Sequence, residues 1–515
     1  MIDDTTLPDD LAVSLDCDPA SAEALELSKR WISTCTSSHP LCHMAPSLFK
    51  PARLLEVGKS AVKLRETHEI GQAQWCALSY VWGGDQPVKT TKDSLADHHK
   101  GIALDRLPQA LRDAVQVCRS LGVLYIWIDA LCIVQDDVGD LRRELSHMAE
   151  IYQHAIATIS AASSTKADDG FLFRRGHWYH ECPPINLQAL TESGQRVAAI
   201  AYERRLWEND SINWRAWTYQ ERMLSPRVLA YRNTVLEWNC RTRVDSYGLL
   251  EPTTLLRNLK ATPDSLYSFS STPWSDVVAE YSLRKLTFDA DKLRALSAIA
   301  RVYHRETGKT YLAGIWKEDL PLALCWIPAR HSGSPVVPRP AGYRAPSWSW
   351  ASLGSPAMYL APHPSEQKNL RPRGCEVLSA TTTPHFVGGE FDSIASGSLV
   401  IRGAAMTLGS LPLLDDGLEG SEIQVAGHTL VITLDAADNP GPGKVWLLLL
   451  AEFREDDEDE DALPGYFGLV LEDTEQQDVL CRIGTFQCCD EPGFGDNHEM
   501  CQNFGEFKDK TITMI

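Results

Sequence analysis

Two stretches decide the fold: residues 74–85, QWCALSYVWGGD, and residues 123–137, VLYIWIDALCIVQDD. Trp75 to Trp82 reads as a buried strand that stops at Gly83-Gly84-Asp85. Val123 to Ile128 reads as a second apolar strand, with Asp129 at its carboxyl end. Between them, Leu107, Ala110, Leu111, Ala114, Val115, Cys118 and Leu121 recur at helical spacing, and Gly122 is placed to end that helix. Asp137 or Asp140 can cap a further helix with Leu141, Leu145, Met148 and Tyr152 on its inner face, and Ile156 to Ala161 gives a third strand. Strand, helix, strand, helix, strand in this order predicts an α/β unit with a parallel sheet, and such sheets gather ligands at the carboxyl ends of their strands.

Outward from this core the chain divides into four parts. Residues 1–70 form a polar lead segment, in which Ala22 to Cys35 can be helical. The α/β domain covers 71–240. It contains a looser insertion beyond Lys166, a helix over Ile212 to Leu224, and a hairpin formed by Arg227 to Tyr231 and Thr234 to Asn239. Residues 241–395 read as a mainly helical or irregular extension, with Lys292 to Tyr303 its best helix. Residues 396–515 carry short strands and predict a small β-rich domain.

The net charge is −20 over 515 residues. That balance excludes nucleic acid as the main partner, since its phosphates demand a basic footprint. Seven consecutive carboxylates, Glu455 to Asp461, supply a large part of the charge from one loop. No apolar run reaches the roughly 18–20 residues a membrane span needs, and the acidic start lacks a signal pattern, so a cytoplasmic protein without a membrane span is expected. The fourteen cysteines then read as reduced thiols. Cys35, His39 and Cys42 resemble half a zinc site, but no second Cys/His pair follows at a standard spacing. A packed or surface loop is the simpler reading, and no metal ligand is assigned.

Three clusters can carry chemistry. Ser79, Tyr80, Trp82 and Gly83 end the first strand, where two glycines either make a simple turn or let the backbone approach a ligand. Asp129 ends the second strand, and Asp136 and Asp137 follow in a loop. In the third, Trp214, Trp217, Glu221 and Leu224 fall on one helical face. A carboxylate there should have its pKa raised by desolvation, unless Glu221 is a structural acid paired with Arg215 or Arg222. Cys132 reads as a buried structural thiol, and His147 and His154 as surface or core histidines. A metal-dependent hydrolase using Asp129, Asp136 and Glu221 is a further reading.

The blocks ALSYVWG, YIWIDALCIVQDD followed by HMAEIYQHAIATISAA, and RAWTYQERMLSPRVL resemble, in order, those of the fungal heterokaryon-incompatibility (HET) domain family. The opening Cys35/His39/Cys42 pattern and AGYRAPSWSWAS, Ala341 to Ser352, are similar to full-length fungal proteins of this kind. The resemblance implies a role in non-self recognition and programmed cell death, with an incompatibility partner protein or further copies of the chain as partners. It further implies a TIR-like, flavodoxin-like fold. TIR enzymes cleave NAD with a glutamate four residues after a tryptophan, the spacing of Trp217 and Glu221. On that likeness Glu221 is catalytic. Ser79, Tyr80, Trp82, Gly83, Asp129, Arg215 and Trp217 line the substrate site, and NAD is substrate, with no cofactor. The alternative is a non-catalytic, oligomerising signalling module.

Overall fold

The computed structural model describes residues 18–43, 47–175, 185–190, 196–201, 210–233, 235–247, 272–329, 337–359, 370–409, 421–425, 428–436, 444–453, 465–488 and 507–515. The acidic run 455–461 and most of the insertion after residue 175 lie outside them. The chain divides into two compact units, Met1–Ser268 and Phe269–Ile515.

In the first unit, helix α1 (Ala22–Ser38) is followed by β1 (Arg53–Val57), β2 (Ala61–Glu66) and β3 (Trp75–Ser79). Next come α2 (Leu95–Lys100), β4 (Ile102–Ala103), α3 (Gln109–Ser120), β5 (Tyr125–Trp127) and the single turn α4 (Asp129–Cys132). Helices α5 (Val138–Ser146) and α6 (Met148–Gln153) lead to β6 (Ala157–Ser160), and β7 (Ile185–Leu190) pairs with β8 (Arg196–Ala201) as a separate hairpin. Helix α7 (Ala216–Leu224) precedes β9 (Arg227–Tyr231), β10 (Leu236–Cys240) and β11 (Val244–Tyr247).

β5, β3 and β6 lie side by side and parallel, as the alternating pattern predicts, and β9, read from sequence only as a hairpin arm, joins beside β6 as a fourth parallel strand. The complete sheet is nevertheless mixed. β1, β2 and β4 extend it antiparallel beyond β5, and β10 and β11 extend it beyond β9. Two of the flanking strands come from residues 53–66, inside what the sequence reads as a polar lead. β2 alternates buried with more exposed positions, and β1 carries Arg53 and Glu56 among its apolar residues, so neither shows the continuous apolar run of a parallel-core strand. β3, by contrast, is buried at every position.

Helix α3 begins only after Pro108, which lacks the N–H a helix interior requires. It ends where Gly122 takes φ +77° and Val123 N–H closes on the Cys118 carbonyl, the hydrogen-bonding pattern of a Schellman stop. Asp137 caps α5 through the Gly139 and Asp140 amides. The inner face of α5 is not the apolar one expected: Asp140 and Glu144 are its buried residues, because Arg53 of β1 reaches in to pair with Asp140 and donates to the Cys132 carbonyl at 2.8 Å.

The second unit opens with two helices, Trp274–Ser282 and Ser297–Thr307, and continues as mostly antiparallel β-structure, with Val479–Cys488 and Lys508–Met514 paired parallel. Strands Ile394–Gly409, Val445–Phe453, Gly465–Asp473, Val479–Cys488 and Lys508–Met514 pair successively and close back on the first, so the expected β-rich part is a ring. The SWSW motif is an anchor for this unit. The indoles of Trp350 and Trp274 both donate to the Gly314 carbonyl, at 2.7 and 2.8 Å. Gly314 has φ +100°, and a Cβ there would meet Trp350 Nε1 at 2.8 Å, so only glycine fits.

Candidate functional site

The site forms at the carboxyl ends of β3 and β5, where the chain leaves the sheet on both sides of the first parallel strand. β3 ends at Ser79 and delivers Tyr80 and Trp82, while β5 delivers Asp129 as the first residue of α4. Gly83 turns the chain at φ +74°, and a Cβ there would lie 2.1 Å from that of Lys166, so the glycine is needed for packing as well as for the turn. Helix α7 packs on α6 and β3 and carries Glu221 to the same place.

The Trp82 indole donates to Asp129 Oδ2 at 2.8 Å, and the Ala130 amide donates to Oδ1 at 2.7 Å, so both carboxylate oxygens are held. Burial raises the Asp129 pKa; Arg215, Trp82, Ala130 and Tyr80 pull it back without cancelling the rise. Glu221 is 7% exposed. Burial and the neighbouring Asp129 charge push its pKa up to about 7, against the opposing pull of the Ser79 hydroxyl, Arg215 and the Tyr152 hydroxyl. Arg215 also fixes the backbone, donating to the Tyr80 carbonyl at 2.8 Å. The Tyr80 hydroxyl faces Asp129 but meets no partner at full hydrogen-bond geometry among the described residues, and the buried Trp127 indole N–H has none there either.

Ser79, Tyr80, Trp82, Asp129, Arg215 and Glu221, all singled out from sequence, therefore converge. Trp217 and Gly83 are less engaged: Trp217 is half-buried on α7 and donates no hydrogen bond to either acid, and Gly83 is an exposed turn. The tryptophan face is not formed as expected. Trp214 belongs to a 3-10 turn, Ser211–Trp214, and is exposed, because α7 starts only at Ala216. The raised pKa of Glu221 thus reflects packing on β3 and α6. Tyr152 was legible only as a helix-face residue. Its hydroxyl donates to the Leu78 carbonyl at 3.1 Å and reaches Glu221, a role that needs the fold to be seen.

Other candidates fall away from the site. Asp136 accepts from the Lys92 amide at 2.8 Å, and Asp129, Asp136 and Glu221 form no metal-ligand group among the described residues. Cys132 is buried, with its thiol pushed up to about 12 by desolvation, the state of an inert thiol. His147 and His154 both pack against Phe49, with ring centroids 5.7 and 5.9 Å away. A cleft of about 1030 Å³ opens at the opposite, amino-terminal ends of the strands, bordered by Trp75, Tyr125, Ile156 and Arg227. It contains none of the paired acids.

Fold and site together define a mixed α/β domain with two partly uncompensated carboxylates at the carboxyl edge of its parallel core. Residues 75–221 match the family model of the heterokaryon incompatibility protein (HET), so this segment of the chain is a HET domain. The match opens at the first residue of β3 and closes at Glu221. No curated protein and no solved structure matches the chain. Among the described residues, no helix is long and apolar enough to cross a membrane.

Proposed function

We propose that the HET domain hydrolyses NAD at the bond between nicotinamide and ribose, and that this chain acts in fungal non-self recognition by spending NAD to kill the cell. The observation that carries this reading is Glu221: a desolvated glutamate with its pKa raised to about 7, beside a second carboxylate, at the ligand-gathering edge of a parallel sheet. The nicotinamide of NAD is already cationic. Cleavage sends the bonding electron pair to the ring nitrogen and leaves neutral nicotinamide, so no general acid is needed. Positive charge develops on the ribosyl carbon as the bond breaks, and a carboxylate in a water-poor site stabilises it far more than bulk water would. Water adds to that carbon and loses a proton. Glu221 supplies the charge, Asp129, held by Trp82, binds ribose hydroxyls, and Arg215 moderates the repulsion between the two acids.

The test is release of nicotinamide from NAD by the purified full chain, followed by chromatography. Glu221→Gln should lower turnover by roughly 10²–10³, the usual loss when one transition-state charge partner is removed. A wild-type chain that releases no nicotinamide, even when forced to oligomerise, overturns the enzyme reading. A Glu221→Gln chain that still kills cells would favour the oligomerising signalling module instead.

A further inference from the structure

Cys35 lies in the last turn of α1, His39 ends that helix, and Cys42 closes the 3-10 turn Pro40–Cys42. In sequence these are three ligands without a fourth. The fold supplies it: Cys240, the last residue of β10, enters the same point 201 positions after His39. One ligand atom from each of the four residues lies within 4.8 Å of all the others. His39 Nδ1 is 3.5 Å from the Cys240 sulfur and 3.9 Å from the Cys42 sulfur. Zinc bound at about 2.3 Å to sulfur and 2.0–2.1 Å to nitrogen gives a tetrahedron with S···N edges of roughly 3.5 Å. The observed spacing is that of a ligand set around one ion.

The surroundings fit the same ion. All three cysteines are buried and unbridged. Thr242 Oγ1 lies 3.4 Å from the Cys42 sulfur, and Arg227 donates to the Cys42 carbonyl at 2.8 Å, which brings a cation against a site that three thiolates make negative. Thiolate and imidazole donors in a tetrahedral arrangement select zinc over magnesium or calcium.

We propose that Cys35, His39, Cys42 and Cys240 form a structural zinc site. Four protein ligands leave no open coordination position, so the ion staples and does not catalyse. Three ligands precede the 75–221 match and one follows it. The zinc therefore closes the domain from outside the family match, fastening α1 to the hairpin of β9 and β10. Trp31 of α1, stacked on Trp238 of β10 at 6.3 Å, completes the contact.

The full chain, purified under reducing conditions from zinc-supplemented medium, should carry one zinc per chain by mass-spectrometric metal analysis. Cobalt exchanged into it should give the thiolate charge-transfer and d–d bands of a tetrahedral site. Cys240→Ser should lower zinc affinity by more than the roughly 10–100-fold typical of losing an outer-shell partner. It should also lower the melting temperature by several degrees, whereas His39→Cys, which keeps four ligands, should retain the metal. A wild-type chain with neither zinc nor a tetrahedral cobalt spectrum overturns the site, and so does a Cys240→Ser chain that holds zinc as tightly as wild type. Should Cys240→Ser fail to fold, the wild-type cobalt spectrum and the His39→Cys zinc content decide the question.

Discussion

Each unit buries a charged cluster, and the two clusters are built on opposite terms. In the second unit Arg482 is fully buried, yet its donors are used: Nε and Nη2 reach the Asp435 carboxylate at 2.9 and 3.2 Å, Nη1 reaches the Leu324 carbonyl at 2.7 Å, and Nη2 also reaches the Trp326 carbonyl at 2.6 Å. The central guanidinium carbon lies over the Trp326 ring, 3.3 Å from its centroid. In the first unit two acids, Asp129 and Glu221, share the influence of Arg215, and both have raised pKa values. A buried charge with satisfied partners holds a fold together. A buried charge left short of partners costs stability and is available for chemistry. By that contrast the Arg482 cluster is built for stability, and the Asp129/Glu221 pair is the candidate for chemistry.

The largest effect should come from breaking the satisfied cluster. Arg482→Met leaves Asp435 buried with Arg339, at 3.5 Å, as its one remaining cation among the described residues, and strips two carbonyls of this donor. Removing one partner of such a pair costs about 3–5 kcal/mol. The urea midpoint should fall accordingly, and an unchanged midpoint would show that the cluster contributes little.

Glu221→Gln should move stability the other way. Its folded pKa of about 7 stands above the ordinary 4.5, so the protonated form is favoured in the native state. Its stability contribution is fully present below about pH 4.5 and is lost as pH rises through 7, at a cost of about 3 kcal/mol once the group is charged. Glutamine does not titrate. The variant should match wild type near pH 4.5 and exceed it by up to that amount at pH 8, measured by denaturant unfolding across pH. A difference that stays constant with pH would remove Glu221 as the strained group.

The smallest effect sharpens the same point. Tyr152→Phe removes a hydroxyl that bonds the Leu78 carbonyl and draws the Glu221 pKa down. A cost of about 1 kcal/mol is expected for the lost hydrogen bond. The Glu221 titration, followed by carboxyl-carbon NMR, should shift upward. A downward shift would mean that the tyrosine does not support the carboxylate.

Much of the first unit was legible because its signals are local. The central strands are continuous apolar runs, α3 has one clear apolar face, and Asp129 stands just past the end of one such run. The misreadings were of two kinds. α5 looked apolar on the face of Leu141 and Leu145, but the fold buried its acids, because Arg53 was waiting on a strand almost ninety positions earlier. In the second unit, the strand Glu376–Pro384 fell within what the sequence reads as a mainly helical or irregular extension, since a polar, largely exposed strand carries little signal until a partner pairs with it.

The sequence by itself determined the strand–helix alternation of the parallel core and the residues of the three chemical clusters, since hydrophobic periodicity and helix spacing act over a few residues. Only the tertiary structure decided which distant groups meet: Trp82 with Asp129, Tyr152 with Glu221, Arg482 with Asp435, and Cys240 with the Cys35, His39 and Cys42 cluster. Those meetings depend on how strands pair and helices pack across tens to hundreds of residues, where no spacing rule along the chain can reach.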